Sequence, residues 1–281
     1  MKIAIVGSGR LACALAPALK QSGHSITEII SRPKASSLLK AGVLARTVGA
    51  TRVTARRAKL DADLVWFCVP DGKIREAAES LAGKGWKNKL TFHSSGALSS
   101  DELAGLRARG AIVASVHPLM TFVSDSQPDL EGVPFALEGD RSAVATAKKI
   151  VGKLGGESFQ IRKEDKTLYH AWGTFASPLL IALLATTEQV AQASGVSIKE
   201  ARKKMLPILK QTLANYVSLG PGKAFSGPIV RGDVAVLSRH LKALKEIPQA
   251  AEVYKALARA ALLYLPGKNK RRSRSALTSK K

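Results

Sequence analysis

The sequence predicts an α/β domain built on a doubly wound, mostly parallel sheet, followed by an all-α domain. Three observations carry that reading. Short apolar runs alternate with helical stretches up to about residue 162. Strand signals then stop, and only helical periodicity continues from Lys163 to Leu265. Between the first apolar run and the first helix stands Gly7-Ser8-Gly9-Arg10-Leu11-Ala12, a G-x-G-x-x-A pattern in the strand-to-helix position that gives it meaning.

The elements follow in order. "KIAIV" is a short apolar strand, and "RLACALAPALKQSG" has helical spacing and ends in Gly23, a C-cap. Pro17 weakens the second half of that helix. "SITEIIS" completes a strand–helix–strand unit. "DLVWFCV", "KLTFHS" and "AIVASVH" are further strands, separated by the helical "DGKIREAAESLAG" and "LSSDELAGLRARG". "VPFALEG" and "ESFQI" flank the helical "DRSAVATAKKIVGKLGG". The second domain opens with one long helix, "EDKTLYHAWGTFASPLLIALLATTEQVAQASG", and continues with "SIKEARKKMLPILKQTLANYVSLG", "DVAVLSRHLKALKEI" and "QAAEVYKALARAALLYL". The expected domains are therefore 1–162, 163–265 and a basic disordered tail at 266–281.

The glycine turn implies a dinucleotide. Gly7 permits the tight turn, and Gly9 lets backbone approach a pyrophosphate. With Ser8, Arg10 and Leu11, they present a helix N-terminus to that anion. Glu28 stands at the distance of a ribose-binding acid, but mid-strand. At the strand's carboxyl end come Ser31 and Arg32, with Lys34 close by. An arginine fork suits a 2′-phosphate, which a carboxylate would repel, so NADP is expected rather than NAD. Val69, Pro70 and Ser94, at the ends of later strands, complete the expected cofactor contacts.

Ligands of such sheets lie beyond the carboxyl ends of the strands. His93 and His117 each close a strand there, and His170, after Tyr169, begins the long helix; these three are the candidate proton-transfer residues. Ser95, Asn215, Arg231 and Asp233 are the candidate substrate contacts, with Arg231 suited to a carboxylate or phosphate and Asp233 also suited to cap the next helix. No Ser-His-Asp arrangement is evident, which argues against a hydrolase.

The net charge of +23 raises nucleic acid or an anionic ligand as partner. Part of the excess is local: from Gly267 onward the chain holds seven lysines and arginines and no acid. No nucleic-acid motif or aromatic interleaving accompanies them, so the tail reads as solvated and disordered. Two distant cysteines, Cys13 and Cys68, provide neither a disulfide framework nor metal spacing, and a reducing cytoplasm is expected. "FASPLLIALLATTEQVA" is too short in its continuous apolar part to span a bilayer and reads as a buried helix.

Several stretches carry a family likeness: "GSGRLACALAPALKQSGH", "VPDGKI", "HSSGAL", "VHPLMTF", "LYHAWGTFAS", "LANYVSLG", "GPIVRGD" and "VYKAL". Together they resemble a bacterial family of Rossmann-like proteins with a C-terminal helical domain of unknown function, over nearly the whole chain except the tail. That family is similar to pyrroline-5-carboxylate reductase, to deazaflavin-dependent NADP oxidoreductases and to the group with a 6-phosphogluconate dehydrogenase-like C-terminal domain. The resemblance implies an NADP-binding domain, a helical domain that often dimerises, and a small-molecule substrate in a cleft between them. It implies no particular reaction. Where the pattern has Ser-Asn, this chain has Ser177-Pro178, so no side-chain amide acts there. The leading expectation is an NADP(H)-dependent oxidoreductase acting on a small carbonyl, imine or hydroxy compound. The alternatives are a deazaflavin-linked reductase and a non-catalytic NADP-binding or nucleic-acid-associated protein.

Overall fold

The first strand, β1 (Lys2–Val6), is apolar on both faces because it lies inside the sheet. Ile3 and Ile5 enter one core, Ala4 and Val6 the other. The computed structural model describes residues 1–124 and 128–265. After β1 come α1 (Arg10–Gln21), β2 (Ser25–Ser31), α2 (Ala35–Val48), β3 (Thr51–Thr54) and β4 (Leu64–Phe67). Then follow α3 (Ile74–Glu79), β5 (Leu90–His93), the short α4 (Ala104–Arg107) and β6 (Ile112–Pro118). β7 (Pro134–Gly139), α5 (Arg141–Lys153) and β8 (Glu157–Gln160) complete the sheet, and α6 (Lys166–Ala176) comes next.

The eight strands lie in the order β3-β2-β1-β4-β5-β6-β7-β8. Every pair is parallel except β6 with β7. The order reverses between β1 and β4, the switch point at which open α/β sheets bind ligands. α1, α2 and α5 cover one face through residues such as Leu15, Leu44 and Ile150, and α3 and α4 cover the other through Ile74 and Leu106.

Three local expectations are corrected. α1 runs on through Pro17, because its buried stripe of Ala12, Leu15, Ala16 and Leu19 outweighs one lost backbone hydrogen bond. α2 and β3 were not anticipated. β3 is four residues long with no fully buried position, so it lacks the apolar run that marks the other strands. The expected long helix is two helices, interrupted at Ser177 before Pro178, which cannot donate to the preceding turn.

The chain divides into two compact units, the first Met1–Ser177 and the second from Pro178 onward. Residues 163–177, expected with the helical domain, therefore pack with the sheet. The buried side chains of Lys166 and Tyr169 hold them there. The second unit contains α7 (Pro178–Ala193), α8 (Ile198–Leu219), α9 (Pro221–Ala224), α10 (Pro228–Arg231), α11 (Val234–Ala243) and α12 (Pro248–Ala261). Arg202 on α8 grips Glu188 on α7 with two bonds of 2.7 and 3.0 Å.

α7 was expected to be buried, yet none of its residues is. Leu179, Leu180, Ile181 and Val190 are all exposed. By length and composition the stretch Lys163–Ala193 is apolar enough to cross a membrane, with a mean hydropathy of 1.4, although the helix breaks at Ser177. The expected basic tail, 266–281, lies outside the described residues.

Candidate functional site

The turn after β1 needs a glycine for two reasons. Gly7 has φ +111°, and a Cβ there would stand 2.3 Å from the Cys68 carbonyl oxygen. Its N–H donates to the Ile30 carbonyl at 2.8 Å, which ties the turn to the end of β2. Val69 closes over it, and Pro70 is exposed beside it. Gly9 caps α1 in extended backbone, with open space where its Cβ would be. The N–H groups of Arg10, Leu11 and Ala12 have no acceptor within the helix, and the first turn carries no acid. Unpaired helix donors, a helix dipole and room for close approach fit a pyrophosphate.

Glu28 is removed from any ribose role. It is buried, and its two oxygens accept the backbone N–H groups of Lys59 and Leu60, each at 3.0 Å. Leu60 sits at φ +54°, so the carboxylate holds an uncommon turn in place. At the end of β2, Ser31 is also buried and its hydroxyl donates to the Arg32 carbonyl at 3.4 Å. Arg32 is exposed and its guanidinium makes no hydrogen bond or ion pair with a described residue.

The carboxyl ends of β5 and β6 carry the rest. Trp66 Nε1 donates to Ser94 Oγ at 2.8 Å, which fixes that half-buried hydroxyl. His93 is fully buried with both ring nitrogens engaged. Nδ1 accepts from Ser95 N–H at 3.1 Å, so Nε2 carries the proton and donates to the Ser99 carbonyl at 2.9 Å. This corrects its expected role as a proton donor: His93 shapes the loop. Ser95 is corrected likewise, since it is buried and its hydroxyl accepts from Leu98 N–H at 2.9 Å.

His117 is free to act. Its Nδ1 lies 2.6 Å from the Tyr169 hydroxyl. Tyr169 is buried and has no other hydrogen-bond acceptor among the described residues, so its O–H donates to Nδ1. Nε2 then carries the remaining proton, and it bonds to no described residue. The exposed ring of His170 lies 6.2 Å away, edge to face. Gly96 fits against both: a Cβ would come within 2.7 Å of His170 Cδ2 and 2.8 Å of His117 Nε2.

Beneath this pair lies a residue that sequence reasoning passed over. Lys166, the first residue of α6, is 1% exposed. Its Nζ donates to the Ser95 carbonyl at 2.9 Å and to Ser115 Oγ at 2.5 Å, and Ser115 in turn donates to the same carbonyl at 3.1 Å. No carboxylate touches it among the described residues. Burial lowers its pKa to about 8, opposed by the more distant Glu138 and Asp71. Burial, then the Lys166 charge, lowers His93 to about 4. Burial, then Lys166, His170 and His93, lowers His117 to about 3. Burial raises the Tyr169 phenol. At neutral pH the group is a lysine cation, neutral imidazoles and an un-ionised phenol.

A family model described as a Rossmann-like domain matches residues 1–118, and one described as a domain of unknown function (DUF2520) matches residues 133–261. The chain thus carries a Rossmann-like domain followed by a match to the domain of unknown function. Solved structures with the same fold include a Bacteroides fragilis protein provisionally named an NADP oxidoreductase. It is 24% identical over 92% of this chain and 97% of its own, with a TM-score of 0.78. A Thermotoga maritima protein is 24% identical over 93% and 97%, with a TM-score of 0.73. A reductive aminase from Aspergillus terreus, in complex with NADPH and ethyl levulinate, is 20% identical over 92% of each chain, with a TM-score of 0.67. At these identities the likeness establishes the fold. No curated protein matches the sequence.

In this Rossmann-like protein the other expected substrate contacts belong to the second unit. Asn215 is half-buried on α8 and accepts from Gln211 Nε2 at 2.7 Å, an internal helix contact. Asp233 caps α11, accepting Val236 N–H at 3.1 Å. Arg231 is exposed, with no side-chain partner among the described residues. The geometry thus gathers His93, Ser95, His117 and His170 around Lys166 within the first unit. Lys166 gave one signal in the sequence: it lies a turn before His170, so the two share a helix face.

Proposed function

We propose that the chain is an NADP(H)-dependent oxidoreductase that moves hydride to or from a small carbonyl, imine or hydroxy compound. One arrangement carries this reading. The anion-binding turn at β1 and the His117–Tyr169 pair at β6 stand on the same carboxyl edge, three strands apart. At a strand spacing of about 4.8 Å that is roughly 14 Å, a span for an extended dinucleotide with its reactive ring beyond β5 or β6. The NADPH complex of the reductive aminase with this fold supports the same reading.

The nicotinamide, when bound, supplies the hydride. The N–H groups of Arg10 to Ala12 hold the pyrophosphate, and Gly9 leaves it room. Arg32 would pair with the 2′-phosphate, and the Ser94 hydroxyl would hold the carboxamide. His117 Nε2–H hydrogen-bonds the reacting oxygen or nitrogen, Tyr169 holds the imidazole in that tautomer, and His170 lines the approach. Free Cys13 and Cys68 support a reducing cytoplasm as the compartment.

The apolar residues exposed on α7 and α8, among them Leu180, Ile181, Ile208, Leu213 and Val217, support a second copy of the chain as partner. Sedimentation velocity checks this, with a dimer expected and a monomer at micromolar concentration counting against it. The cofactor is tested by titrating NADPH and NADH separately and following ligand fluorescence. Tight NADPH with weaker NADH is expected, and binding of neither would end the oxidoreductase reading.

A further inference from the structure

Lys166, Ser115 and His117 share one face of the sheet. His93 pairs with Ser115 across β5 and β6, and Glu138 pairs with Ser115 from β7, so the three form a row with Ser115 at its centre. Lys166 covers that centre. His117 lies two residues beyond Ser115 on the same strand, about 7 Å along it and on the same face. Of the charges that reach His117, that of Lys166 is the largest, ahead of His170 and His93. Glu138 faces Lys166 without touching it, and its carboxylate is engaged by Ser100 N–H at 2.8 Å and Ser100 O–H at 2.7 Å.

Two features of the site then select the same chemistry. Nε2 of His117 presents a proton, so the substrate atom facing it must have a lone pair to accept with. The fixed charge below favours a centre that becomes negative in the reaction and disfavours one that is positive at the start. A carbonyl oxygen meets both conditions, whereas an iminium nitrogen meets neither. We infer that the substrate is an aldehyde or ketone, neutral or anionic, and not an iminium ion, with Lys166 as the positioning residue that imposes the choice. The inference rests on the oxidoreductase reading above and names its substrate class.

The reduction balances on these groups. The carbonyl carbon takes the hydride, the π pair of the C=O bond moves to oxygen, and that oxygen takes one proton from solvent by way of Tyr169 and His117. An alcohol and the oxidised nicotinamide remain. The charged and titratable groups facing Lys166 are His93 from β5, Glu138 from β7, His117 from β6, Tyr169 and His170 from its own helix, and the more distant Asp71 after β4.

The test uses the full chain saturated with NADPH. A panel of aldehydes and ketones, with and without a carboxylate, is compared with N-methylated cyclic iminium salts. Turnover of carbonyls ahead of every iminium is expected, and the preference should shrink in Lys166→Met by up to roughly 50-fold, the effect of a unit charge at about 7 Å in an effective dielectric near 20. Lys166→Arg should retain it. Iminium turnover ahead of all carbonyls, or no carbonyl turnover, would overturn the inference. A second readout needs no turnover: NMR of the His117 ring should show it neutral to well below pH 5 in the wild type and titrating higher in Lys166→Met. Titration near 6.5 in the wild type would also overturn it. Failure to bind NADPH would defeat the oxidoreductase reading instead, and the ring measurement would still judge the role of Lys166.

Discussion

The hydroxyl of Tyr169 lies 2.6 Å from Nδ1 of His117, joining the first helical turns of α6 to the last residues of β6 across 52 positions of sequence. A buried phenol with one acceptor fixes the imidazole tautomer and leaves Nε2–H, beside Gly96, without a partner among the described residues. Tyr169→Phe keeps the ring and its edge contact but removes this bond. Turnover should fall about 100-fold, the lower range for a lost proton-handling group. NADPH affinity should stay within about twofold. Steady-state kinetics beside a fluorescence titration separates the two, and an unchanged turnover would exclude the pair from the chemistry.

Arg32 makes no side-chain bond in the described residues, so replacing it costs little stability. Its role should appear only in the cofactor. Arg32→Ala should weaken NADPH about tenfold to a hundredfold, the value of one or two charge-assisted bonds, and leave NADH unchanged. An unaltered NADPH/NADH affinity ratio would remove Arg32 from the site.

Gly7 and Gly9 should respond in opposite ways to one added methyl. Gly7→Ala places Cβ at 2.3 Å from the Cys68 carbonyl at a φ of +111°, so the folded state itself should suffer. A loss of at least about 2 kcal/mol is expected in urea denaturation. Gly9→Ala meets open space and should unfold at the wild-type midpoint while losing NADPH affinity. Equal effects on folding and binding at the two positions would contradict the assignment of the turn.

Stability should depend on pH at both ends. Unfolded histidines protonate near pH 6.5, whereas folded His93 and His117 stay neutral down to about 4 and about 3. The unfolded chain therefore binds more protons in that window, and stability falls as pH drops through it. His93, fully buried, accounts for ~3 kcal/mol of the loss. Lys166 acts at the alkaline end. Its folded pKa of about 8 lies below the ordinary 10.5, so stability rises as pH climbs between those values. Denaturation midpoints across this range should follow that slope, and Lys166→Met should flatten its alkaline part. A wild-type midpoint independent of pH between 4 and 7 would show that the histidines are not held neutral.

Parts of the site were legible because their physics is local. A glycine that must turn tightly, a helix N-terminus beside it and an arginine at the end of the next strand are all encoded within 32 residues. Glu28 could be set aside by position alone, and the structure supplies its actual partners, the N–H groups of Lys59 and Leu60. β3 escaped notice because it has no fully buried position, so neither hydropathy nor alternation marks it. α7 was misread because an apolar helix is buried in most folds, and the single chain leaves this one exposed.

His93 and His117 look alike in sequence, since each ends a strand on the same edge. Only packing separates them: the loop after β5 folds back onto both nitrogens of His93, while α6 reaches one nitrogen of His117 and leaves the other open. Lys166 looks like a solvated lysine, and its burial follows from seating α6 on Ser95 and Ser115, which are 71 and 51 residues away. The sequence by itself determined the alternating architecture and the glycine turn, because those depend on neighbours along the chain. The tertiary structure alone decided which histidine can act and what charge stands behind it, because burial and hydrogen bonding are set by residues that meet only when the sheet closes.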